Sequence, residues 1–249
     1  MLILFKDSTS FMLTALYFLI IELLDRTLRD RMRSERITKI PVMGCFPKDS
    51  NLRYRRYNKT IADMSLRQLS KTLLPHFKTG QQNVLNLLST DAANGKSYLA
   101  QELENYWISI GLQVRRLTYD EDFLAEDSRY IMAKDIKDIC PDIQPNEIAI
   151  IEYPNLNDHS ITPALLNLGT VNLLVTRANR TWKDVDQKAL KELQGQLDNK
   201  DSLFMYLTES SRYAVEEFVG QLPPYTKFKN FVYRISQLGL TATENSRAV

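Results

Sequence analysis

The sequence predicts an α/β protein with a doubly wound, mostly parallel sheet that carries helices on both of its faces. From about Ile61 onward, short apolar runs alternate with segments of helical periodicity, which is typical of such a sheet. The chain has 249 residues and is 44 % hydrophobic. That is enough to bury one substantial core, with room for little more than an appended segment.

Each predicted strand is an apolar run, and each is followed by a helical pattern. We predict strands at Val84–Leu88, Gln113–Thr118, Ile148–Tyr153, Val171–Thr176 and Leu203–Thr208. We predict helices near residues 95–110, 126–139, 162–168, 183–197 and 210–220. The first of these helices repeats apolar residues at helical spacing, so that one face can pack on the sheet: Leu99, Leu103, Tyr106 and Ile110. Ligands of such sheets bind at the carboxyl ends of the strands.

A membrane or amphipathic helix is predicted before this domain. Residues 8–21 carry no charge, and several arginines follow them directly, as on the cytoplasmic side of a membrane span. The run is short for a span, and its charges follow the apolar core, unlike those of a signal peptide. The segment has two possible interpretations: a membrane span or part of one, and an amphipathic helix packed against the domain. We divide the chain into an apolar (partial transmembrane) helix with a basic juxtamembrane segment (1–39), a linker (40–60) and a globular domain (61–249). Residues 40–47, at the start of the linker, are predicted to form a short extended segment bounded by prolines and glycine.

Composition excludes several functional classes. The formal net charge of +2 provides no global basic field, so no nucleic acid is expected as a partner. Cys45 and Cys140 are too few and too isolated for a disulfide framework or a metal site, even together with His76 and His159. A reducing compartment fits this cysteine usage, and we assign these four residues no role.

The loop after the first predicted strand ends in Gly95-Lys96-Ser97 and opens the next helix. A strand, loop and helix in this order predict a phosphate-binding loop, whose backbone N–H groups wrap an anion at the positive end of the helix. Lys96 would reach the β/γ-phosphates and Ser97 the Mg²⁺. The usual pattern has a glycine where this chain has Thr90, and a plain structural turn is the alternative. The predicted nucleotide contacts are Ala93, Asn94, Gly95, Lys96, Ser97 and Tyr98.

Acidic residues follow the next two strands. Asp120 lies in the run Tyr119-Asp120-Glu121-Asp122, and Glu152 ends an apolar strand. A carboxylate at the end of a buried strand is typical of the second acidic element of a P-loop ATPase. Ser97, Asp120 and Glu152 are therefore the predicted Mg²⁺ ligands, and Lys96, Asp120 and Glu152 the predicted catalytic residues. The alternative for each acid is a helix cap or a solvated turn. Residues 177–183, which follow the fourth predicted strand, either place their arginines near a bound phosphate or form a charged surface loop.

These motifs together resemble the bacterial tyrosine kinases of capsule and exopolysaccharide export, whose kinase domain is a MinD-like P-loop fold. The resemblance begins at Leu24-Asp25-Arg26-Thr27-Leu28, passes through Ile40-Pro41-Val42-Met43-Gly44 and covers nearly the whole chain. Ser89–Ser97 matches the family's Walker A loop. Thr118-Tyr119-Asp120 matches its Asp-x-Asp motif with only the second aspartate kept, and Glu152-Tyr153-Pro154-Asn155 matches its Asp-x-Pro-Pro motif with a glutamate first.

The resemblance implies ATP and Mg²⁺ as cofactors, and the cytoplasmic face of the inner membrane as location. The chain looks like the end of the second membrane span of a chain-length determinant (polysaccharide co-polymerase) followed by its cytoplasmic domain. Implied partners are nucleotide, the inner membrane, polysaccharide polymerisation and export proteins, and further copies of the chain. The family's oligomerisation motif is not visible in residues 62–70, and residues 240–249 contain none of its phosphoacceptor tyrosines.

These departures indicate a degenerate subfamily that is weak or inactive as a kinase and acts as regulator or scaffold. An active tyrosine kinase using Asp120 and Glu152, with Tyr54, Tyr57 or Tyr225 as acceptors, is the first alternative. A MinD-type positioning ATPase is the second. The basic, aromatic tail that contains Lys227, Lys229 and Arg234 is predicted to contact a partner or lipid.

Overall fold

A computed structural model describes residues 12–20, 25–49 and 54–225, and within them a single six-stranded, all-parallel sheet. The strands are β1 Val42–Pro47, β2 Asn83–Ser89, β3 Val114–Thr118, β4 Ile148–Asn155, β5 Val171–Arg177 and β6 Leu203–Ser210. Their order across the sheet is β1-β6-β5-β2-β4-β3. The predicted α/β class with a parallel sheet is confirmed.

Helices cover both faces of the sheet. They are α1 (12–20), α2 Arg31–Thr38, α3 Asn58–Leu73, α4 Lys96–Ser109, α5 Ser128–Ile131, α6 Ile136–Ile139, α7 Pro163–Leu168, α8 Asp184–Gln196 and α9 Arg212–Val219. Short 3₁₀ turns lie at Arg55–Tyr57, Leu74–His76 and Lys200–Ser202. One core lies between the sheet and α3 and α4, and the other beneath α7, α8 and α9. Alternate residues of β2 serve the two cores, as the two-residue period of a strand requires.

The five predicted strands all form, at bounds close to those predicted. The predicted helix over 126–139 is instead two short helices, α5 and α6. The break has a local cause: the Asp138 carboxylate accepts hydrogen bonds from the backbone N–H groups of Lys134 and Asp135, at 2.8 and 3.0 Å. These bonds offer the backbone an alternative to a continuous helix.

Strand β1 lies within residues 40–60, the range predicted as a linker, and forms an edge of the sheet. It runs parallel to β6, with Val42 opposite Met205. Gly44 allows Tyr206 to pack there, since a Cβ at this position would lie 3.0 Å from the Tyr206 ring. Pro47 is tolerated because an edge strand has one unpaired side. The extended segment predicted at residues 40–47 is therefore a strand of the sheet, although its proline and glycine are typical of loops.

The segment before β1 also packs on the domain. Leu28 is fully buried, and its N–H donates to the Arg180 carbonyl at 3.2 Å. The Trp182 N–H donates to the Arg26 carbonyl at 2.9 Å, and Thr27 and Thr181 form an antiparallel bridge. Residues 26–28, predicted as part of a juxtamembrane segment, thus pair through their backbone with the loop that follows β5.

Helix α1 exposes its apolar side chains, among them Met12, Leu16 and Phe18. In the part of the chain that the structure describes, no helix is both long and apolar enough to cross a membrane. Parts of the predicted apolar segment (8–11 and 21–24) lie outside the described residues. The predicted basic tail and the tyrosine-free terminus, both beyond residue 225, also lie outside them.

Candidate functional site

A cleft of about 500 Å³ opens where β2, β3 and β4 end at the carboxyl edge of the sheet. It is lined by residues 92–98, 118–120, 152–155, 158 and 159. All the predicted site residues line it: Ala93, Asn94, Gly95, Lys96, Ser97, Tyr98, Asp120 and Glu152. The residues chosen from three separate strand ends are therefore neighbours around one cavity.

The loop between β2 and α4 presents backbone N–H groups to this cleft. Ala93 and Gly95 have positive φ values of 54° and 82°, and Gly95 is the N-cap residue of α4. No side chain caps this helix end, so the unpaired N–H groups of its first turn are available to an anion. The Thr208 hydroxyl holds the loop from behind by donating to the Asn94 carbonyl at 2.7 Å.

Lys96 extends from the first residue of α4 across the cleft. Its Nζ donates a hydrogen bond to the Tyr153 carbonyl at the end of β4. Burial lowers the pKa of the Lys96 ammonium to about 8, although the nearby Glu152 carboxylate opposes this effect. A phosphate beside Lys96 would supply the negative charge that a half-buried ammonium needs.

Glu152 is held by an arginine that the sequence analysis did not single out. The Glu152 side chain lies on β4 with only 2 % of the residue exposed. Arg116 Nη1, on β3, lies 3.2 Å from Glu152 Oε1, and Arg116 Nε lies 2.9 Å from Glu104 Oε2 on α4. Burial alone would lower the pKa of Arg116, but its hydrogen bonds to Glu152 and Glu104 raise that pKa above its ordinary value.

Thr118 stands where the resemblance has its first aspartate. Its Oγ1 lies 3.5 Å from Glu152 Oε1 and 3.4 Å from Arg116 Nη1, so it completes the same polar group. Asp120 lies at the exposed rim, in a turn with a φ of 73° and with its N–H donating to the Phe123 carbonyl. Asp120 and Glu152 line one cleft but differ in setting, the first solvated and the second buried and paired.

Thr90, which replaces the usual glycine, is bound by Arg180, which lies within the segment 177–183. Arg180 Nη1 donates to Thr90 Oγ1 at 2.9 Å, and Arg180 Nη2 lies 3.3 Å from Asp91 Oδ2 and 2.6 Å from Asp186 Oδ1. Asp186 is fully buried in the first turn of α8. Arg180 therefore does not face solvent: it lies against the predicted phosphate-binding loop and supports it through Thr90 and Asp91.

The outer wall of the cleft carries polar groups that the sequence analysis also missed. The Tyr119 hydroxyl lies 3.4 Å from His159 Nε2, and Asn155 Nδ2 donates to Asp158 Oδ2 at 3.0 Å. Burial and the nearby Asp120 carboxylate raise the pKa of Tyr119. No sequence signal points to this wall, because residues 155–159 follow the end of β4 without a recognisable motif.

The donor groups fit a phosphate better than a metal ion. An open helix terminus and the Lys96 ammonium are both suited to phosphate oxygens. Magnesium requires carboxylate or similar oxygen ligands, and the buried carboxylate here is already paired with Arg116. Within residues 12–20, 25–49 and 54–225, no three His, Cys, Asp or Glu side chains lie close enough together to hold a metal ion. With Oε1 paired to Arg116, Glu152 does not present the free carboxylate that suits Mg²⁺.

Comparison with known proteins identifies the fold. No protein-family model and no curated protein match the chain. Among solved structures, the kinase domain of the Escherichia coli tyrosine kinase ETK is 11 % identical, with a TM-score of 0.53 over 80 % of this chain and 96 % of that domain. The chimerical protein CapA2B2 is 14 % identical, with a TM-score of 0.50 over 73 % of this chain and 100 % of that one. The BceF tyrosine kinase domain is 14 % identical, with a TM-score of 0.47.

Proposed function

Because the chain has the fold of a bacterial tyrosine kinase domain, we propose that it is a kinase-like, ATP-binding module of a protein for capsular or exopolysaccharide biosynthesis and export. The observation that carries nucleotide binding is the position of Lys96, half-buried at the base of the cleft with its ammonium on the Tyr153 carbonyl. An ammonium there, beside an uncapped helix terminus, is matched to the phosphate chain of a nucleotide.

In this proposal the loop and the helix terminus bind the phosphates. The backbone N–H groups of residues 93–98 donate to phosphate oxygens, and the Lys96 ammonium exchanges the Tyr153 carbonyl for the β/γ-phosphates. Gly95 is required for the close approach, because its φ of 82° favours glycine and a Cβ would contact Thr208 at 3.4 Å. ATP, when bound, supplies the γ-phosphoryl group that a kinase would transfer.

We propose that the module is weak or inactive as a kinase and acts as a regulator or scaffold. Phosphoryl transfer depends on a group that orients or deprotonates the attacking hydroxyl. Thr118 cannot take up a proton in this way. Glu152 retains the charge of the second acid, but its Oε1 already accepts from Arg116. The remaining rim acid, Asp120, is exposed to solvent.

We also propose an inner-membrane location, with the globular domain in the cytoplasm. The exposed apolar side chains of α1 support contact with lipid, and the arginines after it match a cytoplasmic flank. The proposed partners are polysaccharide polymerisation and export proteins and further copies of this chain. The proposed division into a membrane-proximal part and a kinase-like domain rests on the same features, with β1 assigned to the domain.

Equilibrium binding of ATP and ADP to the full chain and to Lys96→Ala tests the nucleotide site. Loss of a charged hydrogen bond to phosphate is expected to weaken binding at least about tenfold. Lys71→Ala, which removes an exposed lysine of α3, is the matched control and should bind like the unchanged chain. Equal affinity of the unchanged chain and Lys96→Ala would contradict the proposed site.

The alternative is an active tyrosine kinase, and Tyr225, 60 % exposed at the end of the described chain, is an accessible acceptor. Incubation with labelled ATP followed by peptide mapping separates the two. Phosphotyrosine at Tyr54, Tyr57 or Tyr225 that disappears in Lys96→Ala would show an active kinase. Nucleotide binding without phosphotyrosine supports the regulatory or scaffolding module.

A further inference from the structure

Arg116 pairs with Oε1 of Glu152, one of the two carboxylate oxygens through which Glu152 could hold a divalent cation. It reaches Glu152 Oε1 at 3.2 Å from β3, and its Nε is bound at 2.9 Å by Glu104 on α4. Two acidic partners from two different elements thus hold the guanidinium in one orientation. Arginine is charged at every physiological pH, so this positive charge is permanent.

A metal ion at Glu152 would have to displace or adjoin this guanidinium. Displacement would leave Arg116 beside a divalent cation, and like charges at such distances repel strongly in a partly buried site. Mg²⁺ also demands a nearly octahedral set of oxygen ligands and gives up its waters reluctantly. The other carboxylates of the cleft are poor substitutes: Asp120 is on the exposed rim, and Asp158 accepts from Asn155.

The charge that a metal would normally neutralise is already balanced. Without Arg116, Glu152 would repel the phosphates of a nucleotide held by Lys96. With Arg116 in place, the two cations Lys96 and Arg116 balance the two anions Glu152 and Glu104. The uncapped terminus of α4 then attracts an anion without a metal ion to offset Glu152.

We propose that this cleft binds its nucleotide as the metal-free di- or triphosphate, with Arg116, rather than Mg²⁺, offsetting the charge of Glu152. The inference rests on the proposed nucleotide site and specifies which form of the nucleotide that site takes. Arg116 acts through Glu152 and does not contact the phosphates, so it is a positioning residue.

The first test uses the unchanged full chain. ATP and ADP affinities are measured with excess Mg²⁺ and with EDTA, and binding of Mn²⁺ in the presence of ADP is followed by electron paramagnetic resonance. We expect binding in EDTA to be at least as tight as in Mg²⁺, and no Mn²⁺ held by the protein–ADP complex. Binding at least about tenfold tighter with Mg²⁺ and dependent on Lys96 would overturn the inference while leaving the nucleotide site intact. Absence of binding in both buffers would overturn the proposed site and the inference together.

Two variants test the role of Arg116. In Arg116→Met the freed Glu152 carboxylate should attract a divalent cation, so Mg²⁺ should tighten ATP binding about tenfold or more. Arg115→Met, on the same strand but exposed, is the matched control and should remain insensitive to Mg²⁺. An Arg116→Met chain that folds but gains no Mg²⁺ dependence would contradict the assignment of Arg116.

Glu152→Gln keeps the inference testable if Arg116→Met fails to fold. Removing this negative charge while keeping Arg116 should tighten ATP binding several-fold in EDTA, because one repulsive group beside the phosphates is lost. A metal site based on Glu152 predicts the opposite, a loss of affinity in Mg²⁺ for the same variant. Circular dichroism of each variant confirms that the compared chains are folded.

Discussion

Replacement of Arg180 by methionine should destabilise the protein strongly, because it leaves a buried carboxylate without its cation. Asp186 has no exposed surface, and the Arg180 side chain is 13 % exposed. Their closest atoms, Arg180 Nη2 and Asp186 Oδ1, are 2.6 Å apart. The remaining donors to Asp186 are the Lys183 N–H at 2.9 Å and the Asn157 amide at 3.5 Å, and both are uncharged.

The expected size of the effect follows from this geometry. Removing one partner of a buried ion pair costs about 3–5 kcal/mol of the free energy of unfolding. In a domain of 150–250 residues, each kcal/mol shifts the melting temperature by about 2–4 °C. The variant Arg180→Met should therefore melt about 6–20 °C below the unchanged chain. The loop loses support as well, because Arg180 also binds Thr90 and Asp91.

Urea denaturation and calorimetry of Arg180→Met measure this loss, with Arg129→Met as the control for an exposed arginine. The control should change the free energy of unfolding by less than about 0.5 kcal/mol. The double variant Arg180→Met/Asp186→Leu removes both charges and should recover most of the loss. A cost below about 1 kcal/mol for Arg180→Met, or no recovery in the double variant, would refute this reasoning.

Two further predictions concern pH and packing. Because the pKa of Lys96 is about 8 in the folded protein and 10.5 in its ordinary state, the unfolded chain binds more protons between these values. The contribution of Lys96 to stability should therefore rise with pH across this window and be absent from Lys96→Met, and ATP affinity should fall as pH rises above about 8. Gly44→Ala should lower the free energy of unfolding by about 1–3 kcal/mol, because the new Cβ would lie 3.0 Å from Tyr206 Cε2. Denaturant titrations measure this loss. Gly195→Ala is the control, since a Cβ at Gly195 has no atom within contact distance.

The buried strands were predictable because their apolar runs carry the signal along the chain itself. Strand β1 was predicted only as an extended segment within a linker, and helix α3 was not predicted. Gly44 and Pro47 are typical of loops, and only the packing of Tyr206 and the free edge of the sheet explain their place in a strand. For α3 the apolar residues Ile61, Leu66 and Leu69 are buried against the sheet, but the sequence analysis assigned residues before Ile61 to a linker.

In the candidate site, too, some residues could be predicted from local sequence patterns and others could not. Its loop residues follow from a local motif, and Glu152 follows from its place at a strand end. Arg116 and Arg180 act through partners far along the chain, at Glu152 and at Thr90. A single sequence contains no local pattern that links such positions, so only the folded structure shows that these two arginines bind residues of the candidate site.

The pairing of β1 with β6 has a consequence for the order in which the protein folds. β1 is the first strand of the described chain to be synthesised, and its neighbour in the sheet, β6, is the last. On the ribosome, β1 therefore waits without a hydrogen-bonding partner until residues 203–210 have emerged. Helix α3, made directly after β1, can already cover Met43 and Phe46, but the backbone edge of β1 stays unpaired, and contacts between such distant segments form slowly. The nascent chain is thus most exposed to misassembly just before its final strand is made.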